Sequence, residues 1–564
     1  MRPTHILFAL MLLMAPLGAR AQQALPSLDD PCPVPADERW TPQERFVWER
    51  VCVGKIADFN VASDYGGHLD PMKPDGWSQS RILRPAFLAA ILLKDPYSRA
   101  LPPAGVTIVG ARFVEMIDLD RAELRYQLLL VDSLVENDVR FAMLRSKHPI
   151  ALARSKVTGN IKMSGLDLDS NLALQGSQFT TLDLNNVHVS GQVNLHNSKV
   201  AGDLLMNGLH ARSLYMLGGE FAQVDLAAIR VSDLNLYHAK ISNLLDINSG
   251  RVDGRLLMDE GRFADVNLTA LWVGHLLSMR QAHFNEVELN SGHVGGELLL
   301  SESEIDHDLS CFNLEVVQHV FMDQVKIGGS LDCESAKFRG DVYLYGGEFK
   351  KDIDLTAVEI GGTLELEGVQ TTALKLQNAK IGTIPDLADF SPPKLEVDGL
   401  TYRNVVAADK FEGWFRKVDH HSSQPYEQLA SVVQSQGNGS LATAIRYAGR
   451  ERERGEASRG MWLWLTALKW VIGYGHHPER SILWALGLVA IGATVLRISG
   501  EGPRNGMPYG IAYSFDTLLP IIRLRERHYQ IDLQTWARYY FYWHKIMGYV
   551  LATFLIAGLS GLTK

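Results

Sequence analysis

Apolar-x-apolar pairs recur along this chain at steps of ten or eleven residues, from Ile117/Leu119 to Leu374/Leu376. Leu182/Leu184, Val193/Leu195, Leu204/Met206, Leu214/Met216 and Val224/Leu226 show the regularity. A pair with period two marks a short strand with both side chains on one face, and an amphipathic helix of period 3.6 does not sustain it at that spacing. Between the pairs stands another apolar residue, often framed by glycine, as at Phe221, Phe263, Phe284 and Phe349, where the chain turns a corner. Ten residues at ~3.3 Å each would close a ring only ~10 Å across, too narrow for inward side chains, so two repeats form one coil of about 21–22 residues. The fold class that follows is mainly β: a right-handed β-solenoid over residues 105–384 with a helical N-terminal cap region at 22–104.

Stacking coils places equivalent residues in columns. Cys311 and Cys333, 22 residues apart in one slot of the repeat, read as small core residues in neighbouring coils. The outward slot brings His283, Glu304 and Lys326 into one surface ladder, where cross-strand pairing explains the charges. Glu302, Glu304, Asp306 and Asp308 alternate around His307 and resemble oxygen ligands for calcium, yet outward strand positions are ordinarily charged, and no metal site is assigned. The adjacent histidines of Asp419-His420-His421 and His476-His477 seldom face one ion and carry no ligand role.

The G-x-[LVI]-x-[LM] grammar, the opening Gly105-Val-Thr-Ile-Val-Gly-Ala-Arg-Phe113 and the stretch Arg81-Ile-Leu-Arg-Pro-Ala-Phe-Leu-Ala-Ala-Ile-Leu-Leu93 make the chain similar to bacterial pentapeptide-repeat-related membrane proteins. Members of that family are often labelled membrane-associated oxidoreductases, which is what the resemblance implies for activity. The residues supply no matching chemistry: the sequence has no G-x-G-x-x-G, no Cys-x-x-Cys and no G-x-S-x-G, so no catalytic residue and no cofactor is assigned.

The first residues have a basic start, an apolar run from Ile6 to Met14 and Ala19-Arg20-Ala21 before Gln22, the pattern of a secretory signal peptide over residues 1–21. Export makes a disulfide durable, and Cys32 with Cys52 is the natural pair. They bracket a helix start in which Thr41 and Glu44 can close a capping box around Pro42. A net charge of −9 spread over 564 residues argues against a nucleic-acid partner.

Past Pro385 the period breaks, and residues 385–460 read as linker and helical hairpin: Gln424–Val433, a Gly437-Asn-Gly439 turn, then Leu441–Arg454. Residues 461–564 read as a membrane domain, with an interfacial Trp-rich helix at 461–474 carrying a lone Lys469, or a third span there, and spans at about 481–498 and 545–562. The loop between the spans is rich in arginine and is expected in the cytoplasm, which leaves the solenoid on the periplasmic side of the inner membrane. Gly473-Tyr-Gly475 precedes the first span and therefore does not read as an ion filter. Asp516, an acid in an apolar segment near the membrane, is the functional candidate of this domain, with a helix cap or interfacial acid as the structural alternative. The functional expectation is an envelope scaffold or binding module whose partners are membrane lipid and an envelope protein or glycan. An envelope oxidoreductase and a two-span conducting or sensing module are the alternatives.

Overall fold

The computed structural model describes residues 32–386, 390, 392–418, 420–477, 479–519 and 525–559. The signal peptide at 1–21, Asp419, Arg523 and the last residues of the expected second span lie outside them. The chain divides into two compact units, Met1–Asn235 and Leu236–Lys564.

In the first unit a parallel β-solenoid follows three helices, α1 (Pro42–Val51), α2 (Pro85–Leu93) and α3 (Tyr97–Ala100). Each coil contributes to two parallel sheets, to each as one strand or as two short ones. In one sheet Leu128 pairs with Ile150, Ile150 with Leu172, Leu172 with Val193 and Leu214 with Leu234, so a coil takes 20 to 22 residues. The second sheet holds the alternate repeats, with Ile161 beside Leu182 and Leu182 beside Leu204. The pairs at ten or eleven residues are thus successive faces of one coil, and their side chains fill its interior, Leu172, Leu182, Val193 and Leu204 being fully buried. Removing each such side chain from water is worth ~1.5–3 kcal/mol, repeated in every coil.

The corners follow a rule of their own. Two residues after the second apolar member of a pair's strand the backbone turns left-handed, as at Asn186, Asn197, Gly208 and Gly218. In the first unit the corner beyond one edge also holds buried serines: Ser155 Oγ accepts from Ser133 N at 3.1 Å, and Ser177 Oγ accepts from Ser155 N at 3.1 Å. The hydroxyls satisfy main-chain donors that the ladder leaves over, which is what makes a polar column tolerable inside the coil.

The free end of the first unit is covered. The strand Ala57–Asp58 pairs with Ile108–Val109 at the outermost coil, and α1 stands beside it with the predicted capping box closed by Thr41 and Glu44. Glu44 is buried against Arg84 at 2.6 Å. Burial pushes its carboxyl up, but hydrogen bonds from Arg84 and the Thr41 main chain outweigh that and hold it below the ordinary glutamate value. Cys32 and Cys52 are joined by a disulfide, which ties the segment before α1 to its last turn.

The second unit continues with the same two-sheet coils. Cys311 and Cys333 are unbridged, buried and in adjacent coils, next to the paired residues Ser310 and Asp332. Strand pairing runs past the expected boundary at 384: Lys394–Glu396 and Thr401–Val405 add to the two sheets. Pro385 interrupts the spacing, but Leu395, Val397 and Leu400 keep the inward apolar slots, so the coil closes again.

Helices then follow: α4 (Ala408–Phe415), α5 (Ser423–Ser435), α6 (Gly439–Glu456), α7 (Arg459–Ile472), α8 (Glu479–Ile498), α9 (Glu501–Arg504), α10 (Ile511–Leu518) and α11 (Ala537–Leu559). α5 and α6 form the expected hairpin, crossing closely where Gly449 meets the ring of Tyr426. α5 does more than connect. Gln424, Gln428 and Gln436 donate their side-chain amides to the carbonyls of Leu400, Tyr402 and Val405, closing the exposed edge of the last strand.

Among the described residues α8 alone is long and apolar enough to cross a membrane. α11 begins eight residues before the expected start at 545 and carries Arg538, His544 and Lys545 in its first half. Lys469 on α7 is paired: Glu451 of α6 accepts from its Nζ at 2.7 Å, from Arg454 at 3.0 Å and from the Tyr474 hydroxyl at 2.6 Å. The Gly473-Tyr-Gly475 segment is therefore a turn between α7 and α8, with Gly473 in the left-handed cap position.

Candidate functional site

The expected surface ladder is present as a column. His283 lies opposite Glu304 and Glu304 opposite Lys326, and Glu348 continues the series beyond them. The close ionic contact differs from the one the stacking suggests: His283 Nε2 approaches Asp306 at 3.3 Å. Glu304 and Asp306 flank the inward Ile305 on the same outward face, so either carboxylate is within the reach of a ring one coil below. The remaining acids of this stretch have partners of their own. Glu302 accepts from the Gln281 amide at 2.8 Å, and Asp308 accepts from Ser330 N at 2.6 Å. Among the described residues no group of three His, Cys, Asp or Glu side chains is placed to share a metal ion.

A longer column runs along the other sheet of the second unit. Arg251, Trp272, His293, Glu315, Lys337, Glu359, Lys380 and Thr401 lie opposite one another in successive coils. Its lower part is aromatic, with the Arg251 guanidinium 3.8 Å from the Trp272 ring centre and His293 parallel to that ring. Its upper part is ionic: Glu359 accepts from Lys380 Nζ at 2.7 Å. Two residues along each strand is the neighbouring outward column, and in the upper coils it reads Arg339, Gly361, Gly382 and Arg403.

Between these two columns the surface is concave, a groove of about 590 Å³. Its floor is bare because Gly361 and Gly382 carry no side chain. A Cβ on Gly361 would lie 2.2 Å from the Arg339 carbonyl, and one on Gly382 2.4 Å from the Gly361 carbonyl, so close stacking of the coils demands glycine at both. Lys337, Arg339, Lys380 and Arg403 rim the groove against a single lining carboxylate, Glu359. Arg339 is held by Glu315 at 2.7 Å, and Arg403 folds over the floor to donate to the Gly361 carbonyl. The nearby cations and the Lys380 hydrogen bond hold the Glu359 carboxyl below its ordinary value. The inward slot of the repeat, which sets the fold, carries no mark of this rim. The signal lay in the tripeptides Lys337-Phe-Arg339, Glu359-Ile-Gly361, Lys380-Ile-Gly382 and Thr401-Tyr-Arg403, whose flanking positions stack at intervals of 21 or 22 residues.

Asp516 lies on α10, which packs between α8 and α11, and it is buried. Its Oδ2 accepts from Arg525 N at 3.1 Å and lies 2.7 Å from His528 Nδ1, and its main-chain carbonyl accepts from the Tyr529 hydroxyl. Glu501 on α9 is placed similarly: buried, its Oε1 accepts from Gln534 N and Thr535 N just before α11. Both acids pin the connection between α10 and α11 through its main chain, the work of a structural acid. His544 of α11, which the sequence reading did not single out, is buried between Ser514 and Tyr540, each 3.3 Å away. Gly492 of α8 makes room for them, since a Cβ there would meet Ser514 Oγ at 2.1 Å. A small residue at the crossing lets the helices approach closely.

No family model, no curated protein and no solved structure matches this chain.

Proposed function

We propose that the chain is a membrane-anchored envelope binding module that offers the outward columns of its solenoid to a partner. The observation that carries this reading is the concave, cation-rimmed groove of Lys337, Arg339, Lys380 and Arg403, where charge, concavity and a bare glycine floor coincide. The anchor is read from α7, α8 and α11, which expose Trp462, Leu463, Trp470, Leu483, Trp484 and Ile546, a surface suited to lipid. On this reading α8 and α11 both cross the inner membrane and α7 lies at its interface. The signal peptide delivers the solenoid to the periplasmic side. Asp516, engaged by the Arg525 main chain and the His528 ring in the segment before α11, favours a structural role over conduction or sensing.

Binding by many stacked contacts differs from catalysis in how it fails. In cells carrying the full-length chain, photo-crosslinkers at positions 337 and 403 are expected to form adducts with envelope material. Single substitutions of outward solenoid residues are expected to change the phenotype little. Adducts at neither position, or one outward substitution that abolishes the phenotype while adducts persist, would overturn the binding reading.

A further inference from the structure

We infer that the groove between the Lys337 and Arg339 columns binds a linear polysaccharide bearing carboxylates on successive sugars. The inference deepens the binding-module reading and rests on it. Four cations face one carboxylate in the groove, and that carboxylate is already engaged by Lys380. Among the described residues Lys337 has no ion pair, and Arg403 contacts only a carbonyl. Arg339 is engaged by Glu315 and Lys380 by Glu359, which leaves Lys337 and Arg403 as two positive charges with no carboxylate partner, an arrangement complementary to an anion supplied from outside.

The spacing points to a repeating anion. Coils stack ~4.8 Å apart, so the main chains of Arg339 and Arg403, three coils apart, are separated by about 14 Å, and the Arg403 guanidinium reaches back over that span to the Gly361 carbonyl. The lining runs over four coils, from Lys337 to Arg403, which is longer than a single phosphate or carboxylate. A polymer lying along the stack reaches all of them.

The floor argues for sugar over peptide. The main-chain donors of Lys337, Glu359, Lys380 and Thr401 are already bonded to Leu314, Ala336, Val358 and Ala379, so a peptide cannot add here as a strand. Gly361 and Gly382 leave no walls between the rows, and an acidic peptide finds no pockets for its alternate side chains. A sugar ring can lie on that floor with its carboxylate toward the Arg403 guanidinium and the Lys337 ammonium, the two cations of the rim that no carboxylate engages. Its hydroxyls then fall within reach of Thr401 and Glu359.

The test uses the full-length chain in nanodiscs and four probes: polygalacturonate, neutral dextran, polyglutamate of equal charge, and vesicles containing phosphatidylglycerol. Polygalacturonate is expected to bind at least tenfold more tightly than polyglutamate, and dextran not at all. Raising salt from about 0.05 M to about 0.5 M is expected to weaken the complex, because the pairs are exposed. The double variant K337E/R403E, and its milder counterpart K337Q/R403Q, should bind at least tenfold more weakly with an unchanged melting temperature, while R251E, low on the same column, should bind as the parent does. Equal or tighter binding of polyglutamate or of the vesicles, binding of no polymer, or full binding by both double variants would overturn the inference. Adducts at 337 and 403 in cells would in that case still support the binding module, so the two failures are distinguishable.

Discussion

Ala270 stands at an exposed corner with φ +55°, a left-handed conformation that Ala228 and Ala357 share at equivalent corners. For an L-residue this conformation costs about 1–2 kcal/mol, and glycine avoids it at an unfolded-state cost of about 0.5–1 kcal/mol. A270G is therefore expected to raise stability by about 0.5–1 kcal/mol, read as a higher urea midpoint. Gly261 is the opposite case: a Cβ there would lie 2.4 Å from the buried Phe263 ring, which folds back over its own corner. G261A is expected to lose about 1–3 kcal/mol in the same assay. If both variants melt like the parent, the corners are not held as described. The repeated Gly-x-Phe of Gly219, Gly261 and Gly347 was visible in the sequence, but its reason, a ring lying over the preceding glycine, is a matter of side-chain direction that no spacing reports.

At the scale of elements, Glu451 joins α6 to α7 and to the turn before α8. Burial pushes its carboxyl up, yet hydrogen bonds from Lys469, Tyr474 and Arg454 prevail and bring it down from 4.5 to about 2. A carboxylate whose folded value is depressed contributes its full stability above the unfolded value and loses it as pH falls. The contribution of Glu451 is thus complete above about pH 4.5 and disappears toward about pH 2. E451Q is expected to cost about 2 kcal/mol near neutrality, with Lys469 left unpaired. The gap between its melting temperature and the parent's should narrow as pH drops from 7 through that window, and a gap independent of pH would refute the assignment. The existence of α5, α6 and α7 was legible from apolar period, turn glycines and the tryptophan-rich run. The pairing of Lys469 was not, because its partner lies 18 residues away on another helix.

For the whole molecule, the proposed membrane anchor implies a topology. Fusions of the full chain to a reporter active only outside the cytoplasm should give signal near Asp419 and after Lys564, and none near Arg504. Signal at Arg504 would invert the arrangement. The repeat by itself determined the class of fold, the inward residues and the two-repeat coil, because a period-two pair at ten or eleven residues can satisfy both burial and strand pairing in no other way. It also placed His283, Glu304 and Lys326 in one column. Only the tertiary structure decided which acid His283 meets and that α5 closes the last strand with its glutamines. It likewise decided that Asp516 and Glu501 hold a loop and that glycines at 361 and 382 open a groove between cations. Each of those depends on the direction of side chains across coils or helices that are distant in sequence, and burial patterns along one strand contain no such information.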